Sequence, residues 1–206
     1  IEKALDAAIL APNSSNVQSW DFYWVKTDDK KKKLVHACMD QSAARMAQHL
    51  IVVTADPKNW KRSQQALIQY VNEIQAPKLI RDYYEKLIPI VYRWGFLNSL
   101  ALFKIVAGFV LGFFRPRMRS PMTRRDVQEV AIKSAALAAE NFVLAITAQG
   151  YATCMMEGFD EWRVRSLLNL PWRTRIVMVI SVGRESARGT WGPRFRLPKD
   201  QVVHII

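Results

Sequence analysis

The residues best suited to chemistry form an uncharged polar loop at positions 11–20. Five of the six residues from 13 to 18 have amide or hydroxyl side chains: Asn13, Ser14, Ser15, Asn16 and Gln18. Such groups can hydrogen-bond a planar polar ligand without adding charge. Asn and Ser are also ordinary turn residues, so on composition alone the stretch equally fits a connection between a helix and a strand.

Two further stretches could complete a binding site. The sequence Met155-Met156-Glu157-Gly158 lies where a short strand is expected to end in a turn. The second stretch is the tail segment 193–198, bounded by prolines, which we expect to be extended. Alternation in an extended chain places Arg194 and Arg196 on one face, where two guanidinium groups can clamp a phosphate. Two unrelated exposed arginines are the alternative.

Hydrophobic periodicity and capping signals define the elements that must position these groups. In the segment 21–26, Phe22 and Trp24 alternate with Tyr23 and Val25, which predicts a strand rich in aromatic residues. We also expect Asp28, Thr123 and Asp160 to cap helices. The predicted helices are 2–11, 28–39, 60–88 with a break at Pro77, 123–149 and 160–168. The predicted strands are 21–26, 49–55, 151–155 and 175–182.

Composition bounds the class of protein. The chain has 206 residues, half of them hydrophobic, and a net charge of +12, which fits one domain with a real core and favours anionic partners. We expect no nucleic acid, because no RNA-binding signature accompanies the charge. Two cysteines without a disulfide framework favour a reducing compartment, so a cytoplasmic protein is expected. The histidines stand singly, and no metal-binding spacing occurs.

The segment 96–114 has a single charged residue, Lys104, in nineteen, and arginines follow it at 115, 117 and 119. Three interpretations stay open. It is a buried helix or lid within the fold or a dimer, an interfacial segment lying on an anionic membrane, or a membrane span at the lower limit of length. Peripheral membrane contact through 96–119 therefore stands beside the cytoplasmic expectation.

Several stretches together resemble the nitroreductase family of FMN enzymes. The loop 12–20 is similar to that family's Pro-Ser-Ser-x-Asn-x-Gln-Pro-Trp motif, with Asn13 in place of a serine and Ser19 in place of the second proline. Residues 141–160 resemble its core helix and flavin-edge turn, and 193–198 its phosphate-binding segment. The resemblance covers 1–56 and 123–206, which leaves 57–122 as an insertion or lid in a single domain.

The resemblance implies an α+β fold: a mixed, largely antiparallel sheet wrapped by helices, in an intertwined homodimer with an FMN site at the interface. It implies flavin contacts from the partner's loop, a lining for the isoalloxazine and a phosphate clamp. Carried over by position, the flavin contacts of the partner's loop would be Asn13, Ser14 and Asn16. The isoalloxazine lining would be Met155, Met156, Glu157 and Gly158, and the phosphate clamp would be Arg194 and Arg196. The family's Arg-x-Ser-Arg anchor is expected upstream of Ile1, and its Lys/Asn pair has Asp40, Gln41 or Arg45 as candidates.

The implied activity is transfer of hydride from NADH or NADPH through the flavin to an apolar acceptor, such as a nitroaromatic or a quinone, with ping-pong kinetics. No side chain needs to act as a catalytic nucleophile or base, because the cofactor carries the chemistry. The insertion is expected to roof the flavin pocket and select the acceptor. The alternatives are flavin-dependent dehalogenation or other chemistry of the superfamily, and a basic membrane-associated binding protein that is not an enzyme.

Overall fold

The sheet is built around the most continuously β-branched run of the sequence. That run forms strand β2 (His49–Ala55), whose side chains from Leu50 onward are all buried. It pairs antiparallel with β1 (Trp20–Val25) on one side and with β4 (Arg175–Gly183) on the other, and β3 (Ala152–Met156) pairs antiparallel with β4. The order β1-β2-β4-β3 therefore places β1 and β3 at opposite edges.

The computed structural model describes residues 1–95, 99–186, 189 and 192–206.

Helices surround this sheet, as an α+β fold requires. They are α1 (Glu2–Ile9), α2 (Asp28–Ala37), α3 (Ser42–Arg45), α4 (Trp60–Glu73), α5 (Lys78–Asp82), α6 (Ile88–Tyr92), α7 (Ser99–Gly112), α8 (Arg124–Ala148) and α9 (Glu161–Leu167). A π-helical turn, Tyr83–Leu87, joins α5 to α6. The predicted break at Pro77 is confirmed, since α4 ends at Glu73 and Pro77 is the N-cap residue of α5. The sequence did not predict the π-helical turn that follows. Asp28 is the first residue of α2, and Thr27 occupies the N-cap position instead.

The alternating pattern of β1 is confirmed, because its two faces pack against different helices. Phe22 and Trp24 pack against the core shared by α1, α8 and the sheet. Tyr23 packs, with buried Val25, in the core on the opposite face, to which α2 and α9 contribute. The sheet is therefore the middle layer of three, and both of its faces are covered.

Helix α8 is the main support of the first face. Its capping box is confirmed: Thr123 Oγ1 accepts a hydrogen bond from the Asp126 N–H at 3.1 Å, and the Asp126 carboxylate accepts from the Thr123 N–H at 3.0 Å. Five of its eight buried residues are alanine or serine, and these small side chains let the backbones of helix and sheet approach closely. Among the described residues α8 alone is long and apolar enough to cross a membrane, and its alanine side packs in the core.

The alanine side of α8 gives a test of how tightly this layer is packed. Replacing buried Ala135 by leucine should lower the free energy of unfolding by about 1–3 kcal/mol, because the fully buried site has no room for the added side chain. The same change at exposed Ala148, at the end of the same helix, is the control. Urea unfolding followed by circular dichroism measures both. Equal stability of the two variants would contradict close packing at Ala135.

The segment 57–122 is anchored on the polar loop. Buried Tyr92 of α6 donates a hydrogen bond to Ser14 Oγ at 3.0 Å, and the hydroxyls of Tyr83 and Ser15 lie 2.8 Å apart. Loop residue Val17, fully buried, packs in the same apolar cluster as Trp60 and Tyr92. The conformation of the loop therefore depends on contacts with residues about 70 positions away.

Removing one of these contacts should weaken the anchorage. The change Tyr92→Phe leaves the packing intact but deletes the hydrogen bond to Ser14, so the free energy of unfolding should fall by about 1 kcal/mol. Tyr70→Phe, at a half-exposed tyrosine of α4, is the matched control. Thermal unfolding gives the comparison. A melting temperature unchanged in Tyr92→Phe would show that the contact contributes nothing.

The apolar segment 96–114 forms α7, and its first three residues, 96–98, lie outside the described part of the chain. Only Ala101 and Gly108 of α7 are buried. The interpretation of this segment as a helix buried within the fold is therefore wrong for the single chain, because most of its large side chains face solvent.

Candidate functional site

The polar loop is folded tightly on itself. Ser15, Asn16 and Gln18 have positive φ angles of 56°, 54° and 42°, a left-handed conformation that asparagine tolerates better than most residues. Asn13 Oδ1 accepts a hydrogen bond from the Gln18 N–H at 2.9 Å. Asn13 therefore closes the loop with its side-chain oxygen, whereas Ser14 is held by the tyrosine contact.

Asn16 and Gln18 face a groove of about 680 Å³ bounded by α1, β1 and α4. Gln18 Nε2 donates to Asn16 Oδ1 at 3.2 Å, so the two amides are aligned with each other at its wall. On β1, the Asp21 carboxylate accepts from Arg62 at 3.1 Å and from Asn59 at 2.8 Å. The loop thus presents amide groups beside an ordered polar network.

The turn after β3 is the second predicted part of the site. Met156 is buried, whereas Met155 is 46% exposed and Glu157 and Gly158 are exposed. Among the described residues, the N–H groups of Glu157 and Gly158 donate no backbone hydrogen bond. The strand therefore ends in an exposed thioether and two available donors.

This turn is fixed from the other side of the chain. Gln41 Nε2 donates to the Gly158 carbonyl at 2.6 Å, and the Asp160 N–H donates to the Ala37 carbonyl at 2.7 Å. Asp160 also caps α9 as predicted, and the hydrogen bond from the Arg163 N–H is the main cause that lowers the pKa of its carboxyl. A Cβ added at Gly158 would lie 3.2 Å from Gln41 Nε2, so the fit is close.

Of the three candidates Asp40, Gln41 and Arg45, it is Gln41 whose side chain hydrogen-bonds the turn in the described part of the chain. Asp40 Oδ2 lies 3.1 Å from His36 Nδ1 on α2. The sequence leaves this choice open because Gln41 and Gly158 are 117 positions apart. No local signal could have selected the residue.

The predicted phosphate clamp lies in the tail. Arg194 and Arg196 are exposed, in a segment outside any helix or strand, and the Arg196 guanidinium donates to the Phe195 carbonyl at 2.7 Å. In the part of the chain that the structure describes, neither arginine forms an ion pair with a carboxylate. Both guanidinium groups therefore have donors available for an anion.

Within one chain the loop and the turn lie apart. The loop precedes β1 and the turn follows β3, which are the opposite edge strands, so three strand spacings, about 14 Å, separate them. The register shows that the chain leaves β3 toward the end of the sheet at which β1 begins. Loop and turn are thus at the same end of the sheet but at different edges.

Comparison with known proteins adds an independent result. The family model described as "Nitroreductase family" matches residues 1–184. The Bacillus subtilis protein named "Putative NAD(P)H nitroreductase MhqN" is 27% identical over 206 residues, which is all of this chain and 87% of that protein. Protein DrgA of Synechocystis is 25% identical over 184 residues, 89% of this chain and 72% of its own.

Solved structures share the fold. A nitroreductase family protein from Streptococcus pneumoniae has a TM-score of 0.67 at 22% identity, covering 100% of this chain and 88% of that one. A structure from Exiguobacterium sibiricum, described as a putative nitroreductase in complex with FMN, has a TM-score of 0.72 at 20% identity, covering 100% and 85%. With the α+β architecture and the family match over most of its length, the chain belongs to the nitroreductase family.

Proposed function

We propose that this protein is an FMN-dependent oxidoreductase that takes hydride from NADH or NADPH and passes it to an apolar acceptor such as a nitroaromatic or a quinone. The observation that carries the proposal is the turn 157–158, which is held rigidly by Gln41 and leaves its own N–H groups available. Two relatives support the same assignment: one is named as a putative NAD(P)H nitroreductase, and the other is a putative nitroreductase in complex with FMN.

The donor groups suit FMN. Bound there, FMN would supply the acceptance and delivery of hydride, while the protein supplies binding and orientation. The N–H groups of Glu157 and Gly158 would donate to the polar edge of the ring system, and Met155 would lie against its apolar part. Arg194 and Arg196 would bind the phosphate, since guanidinium groups match phosphate oxygens in bidentate fashion.

Two subunits account for the distance between loop and turn. Because about 14 Å separates β1 from β3 in one chain, we propose that Asn13, Ser14 and Asn16 serve the flavin held by the partner subunit in an intertwined homodimer. The exposed tail supports this arrangement: Phe195 is 77% exposed and Ile205 99% exposed. An apolar tail of this kind gains most by packing on another subunit.

The acceptor would be chosen by the segment 57–122. Tyr83 and Tyr92 bring this segment onto the polar loop, so it would border the flavin site of the partner. Its apolar surface favours a bulky apolar acceptor over a charged one. Segments mounted on a rigid scaffold commonly determine specificity in this way.

The defining experiment measures flavin content and turnover of the purified protein. We expect FMN absorption, bleaching by NADH or NADPH without oxygen, and recovery of the colour with a quinone or a nitroaromatic. Recovery only with a halogenated substrate would instead identify a dehalogenase. A colourless protein whose melting temperature does not rise with added FMN would refute the proposal.

The loop and tail assignments can be tested by affinity. Asn16→Ala should weaken FMN binding about fivefold, as expected for one neutral hydrogen bond. Arg194→Gln with Arg196→Gln should weaken it ~10–100-fold, since both lost bonds are charge-assisted. Lys199→Gln, an exposed cation in the same tail, is the control. Fluorescence titration with FMN gives the dissociation constants. An unchanged affinity for FMN in Asn16→Ala would contradict the assignment of the loop to the flavin site.

Gln41 should act as a positioning residue. Gln41→Ala deprives the Gly158 carbonyl of its donor, so the turn should lose its fixed position and the flavin spectrum should shift as well as the affinity. Gln65→Ala, at an exposed glutamine of α4, is the matched control. Absorption spectra of the loaded proteins make the comparison. An unshifted spectrum in Gln41→Ala would show that the turn holds its place without this bond.

A further inference from the structure

The most unusual surface is the apolar helix α7. Its large side chains are exposed over most of its circumference; they are Leu100, Leu102, Phe103, Ile105, Val106, Phe109, Val110 and Leu111, with Phe113 and Phe114 beyond its end. The side of α7 that faces the rest of the chain runs at three- and four-residue spacing through Ala101, Lys104 and Gly108. An exposed apolar surface of this extent marks an interaction site.

The contacts on this side show that α7 is held firmly in this exposed position. Lys104 is the one charged residue of the helix, and its ammonium donates to the Val91 carbonyl at 2.9 Å at the end of α6. Burial lowers the pKa of this lysine. A Cβ at Gly108 would lie 2.9 Å from Met122 Cε. The segment 113–123 that follows the helix therefore returns to pack against it, and it is called the returning segment below. The single charge thus points inward.

The returning segment lies in a strongly basic stretch of the chain. Between Glu85 and Asp126 there is no acidic residue but there are eight basic ones: Lys86, Arg93, Lys104, Arg115, Arg117, Arg119, Arg124 and Arg125. Three of them, Arg115, Arg117 and Arg119, belong to the returning segment. Arg119 lies beside α7, since a Cβ at Gly112 would be 3.4 Å from its Nη2. In the described ranges, no carboxylate pairs with Arg115, Arg117 or Arg119.

Cationic and apolar groups also meet in one groove. A cavity of about 570 Å³ between α6, α7 and the returning segment is lined by Leu100, Phe103 and Met118 together with Arg93 and Arg117. Acyl chains joined to phosphate headgroups have the complementary chemistry. Guanidinium groups pair with phosphate, and aromatic and aliphatic side chains enter the boundary between headgroups and acyl chains.

We propose that α7 and Arg115, Arg117 and Arg119 form a docking surface for an anionic lipid bilayer. At 14 residues, α7 is about 21 Å long, shorter than the hydrocarbon core of about 30 Å. It therefore lies in the interface of one leaflet. A second copy of the chain fits less well, because a two-fold contact through α7 would bring together two segments that have no acidic residue between Glu85 and Asp126 to neutralise their arginines.

Vesicle flotation tests the proposal without any need for flavin or turnover, so its failure is distinguishable from failure of the oxidoreductase assignment. The full chain should float with vesicles of phosphatidylcholine and phosphatidylglycerol, and only weakly with phosphatidylcholine alone. Changing Arg115, Arg117 and Arg119 together to glutamine should lower the partition coefficient on the order of 100-fold. Added salt should weaken binding of the wild-type protein.

A matched control distinguishes the effect of these three arginines from the effect of lowering the protein's net charge. Changing exposed Lys3, Lys30 and Lys32 to glutamine removes the same three charges elsewhere and should leave flotation nearly unchanged. Phe103→Gln with Phe109→Gln should weaken binding to both kinds of vesicle. The proposal is overturned by flotation independent of lipid charge, by equal losses in the two triple variants, or by no flotation together with self-association that Phe109→Gln abolishes.

Discussion

The close packing of α8 against the central strand is the constraint on which the rest of this structure depends. Strand β2 is hydrogen-bonded on both sides and buried on both faces, and a helix with small side chains on its buried face can approach it closely. The alanines of α8 meet that condition, and the capping box at Thr123 and Asp126 fixes where the helix begins. Displacing α8 would expose the apolar residues of three strands at once, since β1, β2 and β4 all pack in the same cluster.

With this layer fixed, the polar groups are held at the margins of the sheet. The loop before β1 and the turn after β3 lie at opposite edges, and each is tied down by a side chain from a distant part of the sequence: Tyr92 for the loop and Gln41 for the turn. Such contacts order the backbone before any ligand arrives, which reduces the entropy lost on binding. Two edges of one sheet are too far apart to face the same small ring system, and this separation is the physical reason for proposing that a second subunit completes each site.

The segment 57–122 connects the proposed redox site to the proposed membrane surface through a continuous set of contacts. Lys104 joins α7 to the last turn of α6, and Tyr92, at the end of α6, joins that helix to Ser14 in the loop. If both proposals hold, a bilayer-soluble acceptor such as a quinone would approach from the side of the protein that carries its apolar helix. Part of the net charge of +12 would then lie on the surface that faces the bilayer, because a run of arginines without carboxylates borders that helix.

Local patterns in the sequence determined much of this protein. Alternation in β1, the apolar run of β2, and the caps at Thr123 and Asp160 predicted the elements, because each depends on residues close together in the chain. The motifs around 12–20 and 141–160 predicted the family that the comparison confirmed. Only the tertiary structure selected Gln41 as the contact of Gly158, placed a π-helical turn in the helical stretch after Pro77, and left α7 exposed rather than buried. Those outcomes depend on contacts between residues far apart in sequence, and a helix that is apolar on nearly every side does not itself reveal whether protein, lipid or water will surround it.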